Sequence, residues 1–253
     1  AISPIPLPSR ISPRFALKTA GRSERMVEIK SHRLRSILKI LIPFVLVPLA
    51  AVLGTLVFDE KKHIFVSLFV AILAIVLFIA GFEKKEIGTR RMVIVSVMIA
   101  LSVVGRFIPF FKPVTALTVI TAIHLGGEAG FMVGAFSALL SNFYFGQGPW
   151  TPFQMLAWGL VGLFAGFLAK PLKKSKVFLL IFGVLSGVAF SMVMDVWTVL
   201  WYNDGFDMTL YLSAIVTAIP HTLLYSISNF LFLFFLSKPF GDKLQRIKIK
   251  YGV

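Results

Sequence analysis

The chain has 253 residues, of which 57% are hydrophobic and only 15% are charged, against about a quarter charged in an average soluble domain. Together with a mean hydropathy of +0.88, this composition excludes a soluble globule. The formal charge of +15 does not indicate nucleic-acid binding, because the basic residues lie between long apolar runs and do not cover a wet surface. The sequence contains no cysteine, which excludes disulfides, a thiol nucleophile and Cys-ligated metals.

The chain begins with a stretch in which Pro and Ser alternate with basic residues and no apolar run is long enough to pack. We expect residues 1–33 to form a basic, disordered tail. An Arg- and Ser-rich start without acids is typical of an organellar transit peptide. It is also what translated sequence ahead of a true start at Met26 would look like, and we favour this second interpretation. Residues 1–25 therefore do not enter the fold prediction.

Eight apolar segments follow the tail. A helix needs about 20 residues to cross a hydrocarbon core of about 30 Å, because lipid offers the backbone no hydrogen-bond partners. Six segments meet or nearly meet this length, and the short segments 114–125 and 129–144 are either two crossings or one crossing broken at Gly126. The eight segments are 37–58, 64–82, 92–111, 114–125, 129–144, 152–169, 177–202 and 209–236.

The distribution of basic residues decides between the two topologies. With eight crossings, nearly all Lys and Arg residues fall on the cytoplasmic side, and the outer segments carry only Lys61, Lys62 and Lys112. If 114–144 crossed once, the basic residues would divide almost evenly between the two sides, contrary to the positive-inside rule. The sequence therefore predicts an all-α polytopic membrane protein with eight spans and both termini in the cytoplasm.

Polar and aromatic residues collect in the predicted outer segments. Residues 145–152 (FGQGPWTP) contain two glycines and two prolines, which favours a defined turn that presents side chains. Arg106 is predicted within its span near the outer end. Asp195, the only acid well inside a span, is expected to form an ion pair with it or to face a solvated pocket. The predicted ligand-binding cup consists of Arg106, Lys112, Asn142, Gln147, Trp150, Gln154, Trp158, Asp195 and Tyr202.

The cup has an alternative interpretation, in which the turn only connects two helices. Trp150 is then an interfacial anchor, and Lys112 extends to lipid headgroups. The last segment carries a polar stripe at steps of four, Thr217, His221, Tyr225 and Asn229. A single intramembrane His is more often an interhelical contact than a proton relay, so we rank this stripe below the cup.

Small residues recur at steps of four on several segments, which lets helix backbones approach closely. Packing within the bundle is the default interpretation, and docking of a partner subunit is the alternative. The residues concerned include Ser96, Ala100, Gly130, Gly134 and Ala138.

The region from about residue 90 to 240 resembles a known family. The resemblance rests on Gly105–Pro109, on Gly126–Gly134, on Gly159–Gly166 and, most specifically, on residues 141–155 (SNFYFGQGPWTPFQM). These stretches are similar to the substrate-binding (S) component of energy-coupling factor (ECF) vitamin transporters, and most similar to the branch that takes up cobalamin. Riboflavin, pantothenate and a queuosine precursor are the alternative substrates.

The resemblance implies a six-helix bundle over residues 90–253 that holds a vitamin near its outer face in a bacterial cytoplasmic membrane. It also implies three partner subunits, namely a transmembrane coupling subunit and two ATPases, with Ser96, Ala100, Gly130, Gly134 and Ala138 facing the coupling subunit. The chain has no phosphate-binding loop with the Gly-Lys-Ser/Thr pattern, so ATP hydrolysis belongs to the partners. Residues 34–89 add two helices to the family pattern.

Two functions of other classes compete with this expectation. One is a proton-coupled secondary transporter that uses Asp195 and His221 as a relay. The other is an intramembrane lipid-modifying enzyme that uses Glu128, His124, His221 or Asp195. In the predicted topology Glu128 and His124 lie near the cytoplasmic side and Asp195 near the outer side, too far apart to share one reaction. We therefore expect no catalytic set, no catalytic cofactor and no metal site.

Overall fold

The computed structural model describes residues 88–148, 150–203 and 207–251, together with a few single positions before Gly88. The predicted tail 1–33 and the predicted spans 37–58 and 64–82 lie outside the described residues. The count of eight crossings and the location of the termini therefore stay predictions. The described part is entirely helical, with seven helices: α1 Gly88–Gly105, α2 Val114–Leu125, α3 Gly127–Phe145, α4 Trp150–Phe167, α5 Ala169–Lys174, α6 Lys176–Tyr202 and α7 Met208–Tyr251.

The chain reverses direction between α2 and α3. Gly126 joins them with a φ of +103°, a backbone angle that favours glycine. A methyl group added to Gly130 would lie 3.1 Å from Cα of Ala122, whereas one continuous helix would separate these positions by about 12 Å along its axis. Segments 114–125 and 129–144 are therefore two antiparallel helices, which supports two crossings over one.

Helix α2 is the centre of the bundle. All of its residues except His124 are buried, although the helix has only 12 residues. It packs against α1, α3, α4 and α7. Its apolar side chains, such as Ile120 and Leu117, join the main core with residues of the surrounding helices. The short apolar segment is thus enclosed by protein.

Helices α3 and α4 meet along a seam of glycines. A side chain at Gly134 would overlap the carbonyl of Trp158 and lie 2.8 Å from the nitrogen of Gly159, and one at Gly162 would lie 2.8 Å from the nitrogen of Phe131. Because these neighbours are backbone atoms, they have no rotamer with which to move aside. Glycine at these positions therefore allows the two helices to touch backbone to backbone.

Two predicted helix ends are wrong. Helix α1 ends at Gly105, so Arg106 follows the helix and does not lie within it. The next residues form turns in which Phe110 has a φ of +61° and Pro109 and Pro113 interrupt helical bonding. The last helix does not stop near residue 236 but continues to Tyr251, where a basic tail was expected. Gly241 and Leu244 on this extension are buried, and Lys248 donates a hydrogen bond to the carbonyl of His124 at 3.3 Å.

The sides of the bundle, which face away from its core, are apolar. By length and composition alone, α6 and α7 are able to cross a bilayer, and α2 is a shorter apolar helix. Exposed aliphatic and aromatic side chains cover α1, α6 and α7, as expected for a lipid-facing surface. They include Val93, Val97, Val104, Val177, Ile181, Leu185, Leu212, Val216, Leu223 and Phe235.

Candidate functional site

The turn after α1 places Arg106 inside the bundle, where it is only 7% exposed. Its guanidinium donates hydrogen bonds to the hydroxyl of Ser141 and, at 2.8 Å, to the amide oxygen of Asn142. The amide nitrogen of Asn142 in turn donates to Thr151 and to Gln154, both at 2.9 Å. We call these five residues the Arg106 network. It joins the ends of α1, α3 and α4 that the predicted topology places on the outer side.

Aromatic rings surround the guanidinium of Arg106. Its central carbon lies 5.0 Å from the ring centroid of Phe145 and 5.1 Å from that of Trp158, distances at which a cation is attracted to a ring face. Trp158 is 1% exposed and stacks on Phe190 at 4.8 Å. Trp158 therefore packs between Arg106 and Phe190. It is too deeply buried to contact a ligand in this conformation.

The backbone of Lys112 attaches the turn between α1 and α2 to α7. Its backbone N–H donates to the hydroxyl of Ser228 at 2.8 Å, and the Ser228 hydroxyl donates to the Lys112 carbonyl at 3.0 Å. Its ammonium lies 5.6 Å from the ring centroid of Phe145. Burial, followed by the charge of Arg106, lowers the pKa of Lys112. Arg106 and Lys112 thus share one aromatic ring, that of Phe145.

A second polar region lies between α6 and α7, in the halves of these helices that the predicted topology places on the outer side. It is a cavity of about 450 Å³, which we call the outer cavity. Asp195 is 8% exposed and has no hydrogen-bond or ion-pair partner among the described residues. Tyr202, at 75% exposure, lies in the same wall. The lining consists of Asp195, Thr198, Tyr202, Leu210, Ser213, Ala214, Thr217 and Ala218.

The predicted ion pair between Asp195 and Arg106 is wrong. Arg106 is held by the neutral groups of Ser141 and Asn142, and Asp195 faces the outer cavity. The structure instead places Asp195 in a pocket, which was the alternative expectation for this residue. Asp195, Thr198 and Tyr202 share one helical face, which turns toward α7 and away from α4.

A tryptophan cluster lies between the two polar regions. Trp150 of α4 contacts Trp197 of α6 at 5.8 Å between ring centroids, and Trp197 stacks on Trp201 at 6.4 Å. Trp150 belongs to the predicted cup, whereas Trp197 and Trp201 do not, although their spacing of four on one helix is a signal in the sequence that they share a face. The predicted cup is therefore divided into the Arg106 network and the outer cavity, with this cluster between them.

Gln147 does not extend toward a ligand site. Its amide nitrogen donates at 2.9 Å to the carbonyl of Leu139, so the side chain folds back onto α3 and closes the turn. Its amide oxygen is buried and has no partner among the described residues.

The residues predicted to face a coupling subunit fall into two groups. Ser96 and Ala100 are exposed on α1. Gly130, Gly134 and Ala138 are buried, and a side chain at either glycine would collide with the neighbouring helices. The prediction of a docking surface is therefore wrong for these last three residues, since their small size serves packing inside the bundle.

The sequence model of one protein family, described as the S component of an ECF-type riboflavin transporter, matches residues 86–246. The chain belongs to this family of S components. The match covers more than half of the chain and includes the Arg106 network, the outer cavity and the glycine seam. No curated protein and no solved structure matches the chain.

Family membership confirms that the chain is an S component of an ECF transporter. It leaves the identity of the vitamin open. The S component is the membrane-embedded, substrate-binding subunit of an ECF transporter, and the family is one of transporters and not of enzymes. The family description names riboflavin, so the cobalamin-type branch has no support from the match. As S components do, this one is expected to work with a coupling subunit and ATPases.

The polar stripe of α7 runs from the surface into the bundle of the S component. His221 is exposed and lies 5.0 Å from the ring of Tyr225, and it does not line the outer cavity. Asn229 is buried and donates to the carbonyl of Gly183 at 3.0 Å. His221 therefore does not face the outer cavity beside Asp195, which weakens the relay interpretation.

We expect Asn142→Ala to lower the free energy of unfolding of the S component by about 1–3 kcal/mol, because it leaves buried groups of Arg106, Thr151 and Gln154 unpaired. Thermal unfolding of the purified protein in detergent measures the change. Thr209→Ala, at an exposed position near the start of α7, is the control and should change stability little. Equal midpoints for the two variants would show that the Arg106 network does not hold the outer ends of α1, α3 and α4 together.

Proposed function

We propose that this S component captures riboflavin from the outer side of the membrane in the outer cavity and delivers it through an ECF transporter. The observation that carries the proposal is the outer cavity itself, with one buried carboxylate, Asp195, and hydroxyls from Thr198, Ser213 and Thr217. Its volume of about 450 Å³ falls within the range of small-molecule sites.

The charge of the cavity favours a neutral ligand. Asp195 is the only charged side chain in the described lining, so an anionic vitamin such as pantothenate would meet repulsion without compensation. Riboflavin is neutral and carries a chain of hydroxyls, which are the donors that a buried carboxylate without partners requires. We infer that Asp195 accepts hydrogen bonds from the hydroxyls or ring N–H of the ligand.

The aromatic surroundings favour a flat ring system. The exposed ring of Tyr202 lies at the cavity, and Trp201, two-fifths exposed, lies on the neighbouring face of α6. Flat aromatic ligands stack on such rings. Cobalamin is several times larger than riboflavin and would extend far beyond a cavity of this volume, so size argues against the cobalamin-type substrate.

Delivery would follow the pattern implied by the family. A transmembrane coupling subunit and two ATPases would supply the energy, since the chain has no nucleotide-binding loop. Ser96 and Ala100, exposed on α1, remain the candidate contacts with the coupling subunit. The other predicted site residues, Arg106, Lys112, Asn142, Gln147, Trp150 and Gln154, lie outside the described lining of the outer cavity and would support the helix ends near it.

Flavin fluorescence tests the substrate directly. We expect the purified chain to quench the fluorescence of riboflavin in a saturable titration with one site per chain, because neighbouring Trp and Tyr rings quench a stacked flavin. Unlabelled cobalamin and pantothenate, added in separate titrations, should not displace it. Calorimetric binding of cobalamin without binding of riboflavin would refute the proposal and support the cobalamin-type prediction.

A further inference from the structure

A second cavity lies at the opposite end of the bundle from the outer cavity, where α5, α6 and α7 meet the end of α2. Its volume is about 320 Å³, and on the predicted topology it faces the cytoplasm. We call it the lysine cavity. It is lined by Ile123, His124, Leu172, Lys173, Lys176, Leu179, Ser237, Lys238, Gly241 and Asp242.

The charges of the lysine cavity are unbalanced. Lys173, Lys176 and Lys238 come from three separate segments, and Asp242 is the only carboxylate among the described residues of the lining. Burial, together with the charge of Lys248, lowers the pKa of Lys173. The three lysines are exposed and line the same cavity, and like charges at one site repel one another. A bound anion would relieve the repulsion.

An apolar surface continues from the lysine cavity along the bundle. The ammonium of Lys176 lies 3.9 Å from the ring centroid of Phe234, and Val177, Phe178 and Phe235 beside them are exposed. The cations therefore lie at the edge of the surface that we assign to lipid. A molecule that filled both regions would carry a negative head and an apolar chain.

The geometry points to a binding site for the phosphate headgroup of an anionic phospholipid of the cytoplasmic leaflet. The lysines and the Ser237 hydroxyl would hold the phosphate, and the acyl chains would lie along Val177 and Phe234. Basic pockets between membrane helices on the cytoplasmic side suit such headgroups. Free phosphate shares the headgroup chemistry but would leave the adjoining apolar surface unused. The site is independent of the vitamin proposed for the outer cavity.

Native mass spectrometry of the full chain in detergent, titrated with phosphatidylglycerol, tests the site. We expect one tightly held lipid per wild-type chain, with phosphatidylcholine binding much more weakly. The triple variant K173Q/K176Q/K238Q should lose about a hundredfold in affinity, at about fivefold for each lysine. Asp242→Asn should strengthen binding by about fivefold, because it removes the opposing carboxylate.

The matched control is K174Q/K243Q/K250Q, which removes the same charge from exposed cytoplasmic positions outside the lining. It should leave the tightly held lipid in place. Equal losses in the two triple variants would overturn the site, since any basic surface would then suffice. Displacement of the lipid by inorganic phosphate at similar concentration would also overturn it, in favour of a free-anion site.

Discussion

Replacing Asp195 with alanine is expected to lower the affinity for riboflavin about ten- to a hundredfold, since a hydrogen bond to a charged group contributes about 1.5–3 kcal/mol. The same substitution should raise the thermal midpoint of the empty protein. The Asp195 side chain is largely removed from solvent and has no protein partner among the described residues, which costs free energy to the extent that water in the cavity does not satisfy it, and alanine removes that cost. Affinity and stability should therefore change in opposite directions, as they do where a binding residue is retained at the expense of stability.

Fluorescence titration and thermal unfolding, measured on the same preparations, separate the possible outcomes for Asp195. Asp195→Asn keeps an acceptor and loses the charge, so its affinity should fall between those of the wild type and the alanine variant. Asp242→Asn removes an acid at the lysine cavity and should leave riboflavin affinity unchanged. If Asp195→Ala lowered the thermal midpoint as well as the affinity, Asp195 would be a structural residue and not a ligand contact.

A single methyl group at Gly134 is expected to cost about 1–3 kcal/mol of stability, as overpacking of a tight interface does. The added carbon would overlap the backbone of α4 at Trp158 and Gly159, so the two helices would have to separate. The better helix propensity of alanine, about 0.5–1 kcal/mol, opposes this loss only in part. Separation would also disturb Trp158, which supports Arg106.

Intrinsic tryptophan fluorescence during heating reports on Gly134→Ala, because Trp158 lies at the seam. Ala189→Val serves as the control, since it adds apolar volume at an exposed position of α6 and should leave the midpoint nearly unchanged. A Gly134→Ala protein as stable as the wild type would mean that the α3–α4 seam is looser than described.

Helix positions were largely predictable from hydropathy, and helix ends less so. The segment 114–125 coincides with α2, because Pro113 and Gly126 mark its ends in the sequence. The end of α1 was missed because Phe107 and Ile108 continue the apolar run beyond the last helical turn. The extension of α7 was missed because a hydropathy pattern does not detect a helix that leaves the bilayer and packs through Gly241 and Leu244.

The residues of the site were predictable from the sequence, but the contacts between them were not. Spacing and turn composition placed Arg106, Asn142 and Gln154 at one end of the bundle, and hydrogen bonds join them. Assigning Asp195 to Arg106 failed because residue periodicity gives the face of a helix and not the helix opposite to it. Asp195 turns toward α7, and a buried arginine is satisfied by neutral oxygens and aromatic rings.

The shortness of α2 has a consequence for how the bundle fits the bilayer. Its 12 residues span about 18 Å, and lipid does not reach them because the neighbouring helices enclose them. Lys112 before the helix and Gly126 after it are both partly exposed. The apolar helix at the centre of the molecule is therefore about 12 Å shorter than a hydrocarbon core of about 30 Å. The longer helices around it, and not α2 itself, have to match the thickness of the bilayer.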